Sequence, residues 1–85
     1  LKTLVVYTRK NCQLCEEALL ELRELQREFP FTVETVDIDN DERLIEAYDW
    51  YIPVVTLDGE ILQYGRIVKE KLKLQLAGRF PSTMG

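Results

Sequence analysis

Apolar and β-branched residues open the chain as Leu4-Val5-Val6-Tyr7, a short run of the kind that fills a buried parallel strand, and they predict a strand over residues 2–8. A polar stretch, Thr8 to Asn11, interrupts it, and the period then changes. Leu14, Ala18, Leu22, Leu25 and Phe29 recur at helical spacing, while Glu16, Glu17, Glu21, Arg23, Glu24, Arg27 and Glu28 fall mostly on the other side. This predicts a helix over 13–28, with a solvated acidic face, closed by Pro30. Phe31 to Ile38 alternates loosely and is rich in Thr and Val, which suits a strand at a sheet edge. Asp39-Asn40-Asp41 then reads as a turn with a helix cap, followed by a short helix over 41–48 that turns Leu44, Ile45 and Tyr48 inward.

An aromatic connector, Asp49-Trp50-Tyr51-Ile52, leads to Pro53. Val54–Leu57 and Glu60–Tyr64 flank Asp58-Gly59, a two-residue turn of the type hairpins prefer. Gly65 breaks the pattern. A last helix is predicted over 66–77, with Ile67, Val68, Leu72, Leu74, Leu76 and Ala77 inward, Lys69, Lys71 and Lys73 on a solvated face, and Gly78 as its stop. Residues 79–85 read as a tail, leaving one domain over 1–78. The order β-α-β-α-β-β-α begins with a βαβ unit, which needs a parallel pair joined by a right-handed crossover. The expected fold class is therefore α/β, a four-stranded mixed sheet with helices on both faces.

Composition narrows the function classes. The 85 residues, 46% hydrophobic and 31% charged, suit one small globular core. A net charge of −4 argues against nucleic acid or an anionic membrane as a partner. No apolar run approaches a membrane span and no signal-peptide pattern precedes Leu4, so a cytoplasmic setting is expected. Only two cysteines are present, too few for a secreted disulfide scaffold, and they are spaced Cys12-Gln13-Leu14-Cys15. In a reducing compartment such a pair points to redox catalysis or metal binding more than to a structural staple.

The setting of the pair favours chemistry. At a first helical turn a thiol faces unsatisfied backbone N–H groups and the positive end of the helix dipole, and both favour the thiolate. Cysteines three apart share a helical face, with Cα atoms within the roughly 4.4–6.8 Å that a disulfide requires. One sulfur can attack while the other waits to resolve. Zinc would need ligands beyond two sulfurs, and the chain has no histidine, which also excludes a Cys–His protease mechanism. Two inert core cysteines form the remaining alternative, against which the polar loop before Cys12 argues.

The stretch Tyr7-Thr8-Arg9-Lys10-Asn11-Cys12-Gln13-Leu14-Cys15-Glu16-Glu17-Ala18, with Ile52-Pro53-Val54, Asp58-Gly59 and Tyr64-Gly65-Arg66 further on, resembles a family of small glutaredoxin-like proteins with the thioredoxin fold. The resemblance covers residues 3–77. It implies a thiol–disulfide oxidoreductase in which Cys12 is the exposed nucleophile, Cys15 the recessed resolving thiol and Pro53 a cis proline packed beside them. It also implies that the backbone of Ile52 pairs with an extended substrate; Trp50 and Tyr51 either pack or line the groove beside Pro53. Arg9, with Lys10, is a candidate to favour the Cys12 thiolate or to meet substrate, and Arg66 to meet an anion, the alternative for each being an ordinary surface charge.

The sequence departs from the wider family pattern in three places. Gln13 replaces the proline that usually follows the first cysteine, Ile52 stands where glutathione-binding members carry Val of Thr-Val-Pro, and Tyr64-Gly65-Arg66-Ile67 lacks Gly-Gly-x-Asp. No bound cofactor is expected, and glutathione stands as a candidate co-substrate against which the last two departures count. The expected partners are disulfide-bearing proteins or low-molecular-weight thiols, met by a monomer. A second function class is a binding module, the same fold used as an adaptor or redox switch without turnover.

Overall fold

The computed structural model describes residues 1–80. Strand β1 (Lys2–Thr8) leads to helix α1 (Gln13–Leu25), β2 (Phe31–Asp37), a 3-10 turn (Ile38–Asn40) and α2 (Glu42–Tyr48). The hairpin β3 (Val54–Leu57) and β4 (Glu60–Tyr64) and helix α3 (Lys69–Ala77) complete the order. The strands lie β2-β1-β3-β4, with β1 parallel to β2 and antiparallel to β3, and β3 antiparallel to β4. The apolar run becomes a central strand and the Thr-rich one an edge strand, as patterning leads one to expect.

Alternation along β1 separates the two faces. Leu4 and Val6 are fully buried in the core built with Ala18, Leu22 and Leu25 of α1 and Leu72 and Leu76 of α3. Tyr7 points the other way, and its ring lies 4.6 Å from that of Tyr48 in α2. Helices therefore cover both faces. Leu44, Ile45 and Tyr48 are half-buried, so α2 is a thin cover with no fully buried residue. Asp41 caps it by accepting the N–H of Arg43 (2.8 Å).

Two helix boundaries differ from expectation. Helix α1 ends at Leu25, because the N–H groups of Arg27 and Glu28 donate to carbonyls only three residues back and tighten the last turn. Helix α3 starts at Lys69, with Ile67 buried in the preceding loop and Val68 as its cap. Val68 and Leu74, expected inward, are exposed, Leu74 at 75%, and Ala77 is exposed too. Leu72 and Leu76 are one turn apart and form the buried stripe, and Leu74, two residues from each, falls on the opposite side.

The hairpin turn carries positive φ at both Asp58 (52°) and Gly59 (81°), the backbone that two-residue primed turns require. A register shift inserts Leu62 as an extra residue, so that Leu62 and Gln63 are both buried. Gln63 is satisfied where α3 begins. Its Oε1 accepts the Val68 N–H (2.8 Å), and its Nε2 donates to the Val68 carbonyl (3.1 Å) and to Gln75 Oε1 (3.0 Å). Gln75 in turn donates to the Leu62 carbonyl (2.8 Å). Arg79 and Phe80, expected in the tail, pack onto the domain through Glu60 (2.7 Å) and the rings of Phe29 and Phe31. The rest of that tail, 81–85, lies outside the described residues.

One carboxylate on α1 sits badly. Glu21 Oε2 is buried without a hydrogen-bond partner. Burial raises its pKa above the ordinary glutamate value, Lys69 lowers it in part, and Glu24, Glu17 and Glu70 raise it further. A raised folded-state pKa means that ionised Glu21 subtracts stability at neutral pH, and the subtraction disappears as pH falls through the folded value to below the unfolded one. Glu21→Gln is therefore expected to raise the urea midpoint at neutral pH, with the gain vanishing in acid. A lower midpoint at neutral pH would contradict this account.

Candidate active site

The loop from Arg9 to Cys12 leaves the C-terminal end of β1. Asn11 takes a left-handed backbone (φ 57°), which asparagine tolerates better than most residues, and brings Cys12 to the tip of α1. Cys12 is the helix cap, with extended backbone, and its Sγ accepts the N–H of Cys15 at 3.2 Å. That donor is one of the unsatisfied N–H groups of the first turn, directed at the sulfur. Cys12 and Cys15 form a disulfide with Cα atoms 5.2 Å apart. The two differ in access: Cys12 is half-buried, whereas Cys15 is 2% exposed beneath the first turn. Glu16 and Glu17 are exposed to solvent.

Sheet register sets the opposite wall. Val54 pairs with Tyr7, so the residues before β3 lie at the same sheet end as the Arg9–Cys12 loop. There the Ile52–Pro53 bond is cis and Pro53 is buried. The connector is wound on the end of α2, where the Tyr48 carbonyl accepts the N–H groups of Tyr51 (2.8 Å) and Ile52 (3.2 Å). The Ile52 N–H is thus taken internally. The N–H of Gly65, a residue with φ 72°, donates to the carbonyls of both Tyr51 and Pro53 (2.9 Å each) and binds the end of β4 to this wall. Arg66 follows, highly exposed, with Nη1 3.9 Å from Glu17 on α1, a loose contact of small energetic weight.

Of the residues singled out in the sequence, Cys12, Cys15, Ile52 and Pro53 lie at the same end of the sheet, and Arg66 follows Gly65, whose N–H is bonded to the connector there. Arg9 has other partners than those expected. Its guanidinium is held by Asp39 and Asp49, which raise its pKa further, so its charge is met by two carboxylates and it is no free cation beside the sulfur. Trp50 is 88% exposed. Tyr51 stands edge-on to Tyr64 (5.4 Å) and, with Tyr48, Val54 and Ile61, lines a shallow apolar pocket of about 210 Å³ on the α2 face. A larger groove, about 380 Å³, runs between Leu14 and Ala18 of α1 and the segment from Arg66 to Lys69. Sequence reading placed Asp39 in a turn, Tyr48 inward and Asp49 in the connector but assigned none of them to the site, because nothing local marks the residues they pair with. Among the described residues no group of three or more His, Cys, Asp or Glu side chains is placed to hold a metal ion. None of the described helices is long and apolar enough to cross a membrane.

A β2-β1-β3-β4 mixed sheet covered on both faces, with Cys-x-x-Cys at the tip of the first helix and a cis proline opposite, defines the thioredoxin fold. A mutant thioredoxin of Halobacterium salinarum NRC-1 shares that fold with a TM-score of 0.68 at 21% identity, over 96% of this chain and 77% of that one. Residues 3–77 match the glutaredoxin-like domain (DUF836) family, and the chain belongs to it. Two solved structures are similar over most of both chains. Protein Ne2328 of Nitrosomonas europaea is 32% identical, with a TM-score of 0.78, over 87% of this chain and 89% of that one. Protein XcR50 of X. campestris is 30% identical, with a TM-score of 0.74, over 92% and 99%.

Proposed function

We propose that this protein is a thiol–disulfide oxidoreductase in which Cys12 attacks and Cys15 resolves. The observation that carries the reading is the asymmetry at the helix tip: the sulfur of Cys12 receives a backbone N–H and reaches the surface, while Cys15 is sealed beneath it. In the reduced protein the Cys12 thiolate attacks one sulfur of a substrate disulfide, forming a mixed disulfide and expelling the other substrate sulfur as a thiolate. Cys15, once deprotonated, attacks the Cys12 sulfur, breaks the mixed disulfide and releases the second substrate thiolate. Two electrons pass to the substrate, and the protein is left as the Cys12–Cys15 disulfide. A low-molecular-weight thiol, glutathione among them, or a dithiol protein would return it to the reduced state, so no resident cofactor enters the cycle. The setting that suits this direction of flow is a reducing one such as the cytoplasm, with the protein acting as a monomer.

An extended substrate would lie against the wall at Ile52. Because the Ile52 N–H is occupied, pairing falls to its carbonyl, which accepts no loop or turn N–H among the described residues. A second reading, a binding module in which the pair only reports oxidation, draws on the exposed aromatic surface of Trp50, Tyr51 and Tyr64. Mixing reduced protein with an aromatic disulfide separates the two. Oxidoreductase action is expected to release both halves of the substrate, with alkylation of Cys12 titrating below the ~8.5 of free cysteine. Release no faster than that caused by free cysteine, together with partner binding that differs between oxidised and reduced forms, would transfer the fold to the second reading.

A further inference from the structure

Arg9 stands three residues before Cys12, in the loop that delivers the nucleophile, yet its side chain grips two other segments. Nε donates to both carboxylate oxygens of Asp39 (3.1 Å each), Nη2 to Asp39 Oδ1 (2.9 Å) and Nη1 to Asp49 Oδ1 (2.5 Å). Asp39 belongs to the 3-10 turn after β2, and Asp49 is the C-cap of α2. From Asp49 the chain runs only to Ile52 before the cis proline. That run is fixed by the N–H groups of Tyr51 and Ile52 on the Tyr48 carbonyl, while the Tyr48 ring lies on Tyr7 of β1. One guanidinium thus joins the loop that carries the sulfur to the connector that presents the Ile52 carbonyl.

We infer that Arg9 is a positioning residue that sets the spacing between Cys12 and the Ile52 carbonyl, and so decides how well an extended polypeptide disulfide is held. This role rests on the disulfide-exchange reading above. The geometry needs arginine. A planar fork can serve two carboxylates along different edges at once, whereas a lysine ammonium is a point charge that keeps the sign and loses the fork. The site is partly exposed, with side-chain accessibilities of 32–46%, so the clamp acts on geometry more than on overall stability. A small disulfide needs only the sulfur of Cys12. A peptide needs the sulfur and the carbonyl in register.

Arg9→Lys and Asp49→Asn test this with two substrates, a small aromatic disulfide and a disulfide-linked extended peptide. Each variant is expected to raise KM for the peptide about tenfold at nearly constant kcat, while kinetics with the small disulfide change less than about twofold. Titration of the Cys12 thiol should stay in place, and the double variant should be no worse than either single one, since both break the same link. Asp49→Asn keeps the test open if Arg9→Lys fails to fold. Equal losses on both substrates, or an unchanged peptide KM, would overturn the positioning role. A shifted Cys12 titration in Arg9→Lys would overturn it in favour of direct electrostatic contact with the sulfur. Wild-type protein inactive on the small disulfide would instead bring down the exchange reading itself.

Discussion

Cys12→Ser is expected to reduce disulfide exchange to background, and Cys15→Ser to stop the cycle halfway, with substrate left covalently attached. Both outcomes follow from access. Cys15 is 2% exposed, so in the Cys12→Ser protein the remaining thiol lies under the first turn of α1 and cannot take over the attack. A serine hydroxyl at position 12 could accept the same N–H, but it is neither ionised nor nucleophilic at neutral pH. In Cys15→Ser the attacking sulfur is intact and its N–H donor remains, because the contact comes from the backbone of residue 15. The mixed disulfide therefore forms and has no neighbouring thiol to displace it. Intact mass under non-reducing conditions should show protein plus one substrate thiol, lost on treatment with a reductant. Wild-type rates in Cys12→Ser, or no adduct in Cys15→Ser, would remove the assignment of roles. The same trapped variant, presented with a mixture of candidate substrates, would identify the partners.

The largest effect on stability is expected at Leu22. Its side chain is fully buried in the C-terminal half of α1, within the core that joins that helix to β1 and α3. Leu22→Ala removes apolar surface and leaves a cavity that neighbours fill only in part, at a cost of about 2–5 kcal/mol. For a domain whose total stability is on the order of 5–15 kcal/mol, that is a large fraction. Leu74→Ala is the matched control: on a 75% exposed position it should move stability by less than about 0.5 kcal/mol. Urea midpoints of the two variants measure the contrast. Equal shifts would mean that the stripe of α3 has been assigned to the wrong side.

Much of this fold could be read along the chain, because the relevant signals are local. Leu4 to Tyr7 carries its burial in its composition, Asp58-Gly59 demands the positive φ it adopts, and the 13–25 periodicity is the face that α1 buries. Local reading failed where a leucine has two explanations. Leu74 looked like core because it is leucine among leucines, and only the phase set by Leu72 and Leu76 places it outside. The cysteine pair was visible as a motif, and its unequal access was expected from the family resemblance. The clamp was not visible. Arg9 and Asp49 are 40 residues apart, and each alone resembles an ordinary surface charge. Their meeting depends on β3 running antiparallel to β1, a fact about topology that no local window contains. The unsatisfied Glu21 was hidden for the same reason, since it lies in the groove between α1 and the distant segment from Arg66 to Glu70.

Gln63 has a consequence beyond its own bonds. Its amide reads the start of α3 like a key: both polar groups of Val68 and the side chain of Gln75 must stand opposite it. Sliding that helix by a turn would keep an apolar side chain at both buried positions, with Val68 or Phe80 replacing one leucine, yet leave an amide stranded in a dry interior. A greasy interface that tolerates several alignments is thereby restricted to one.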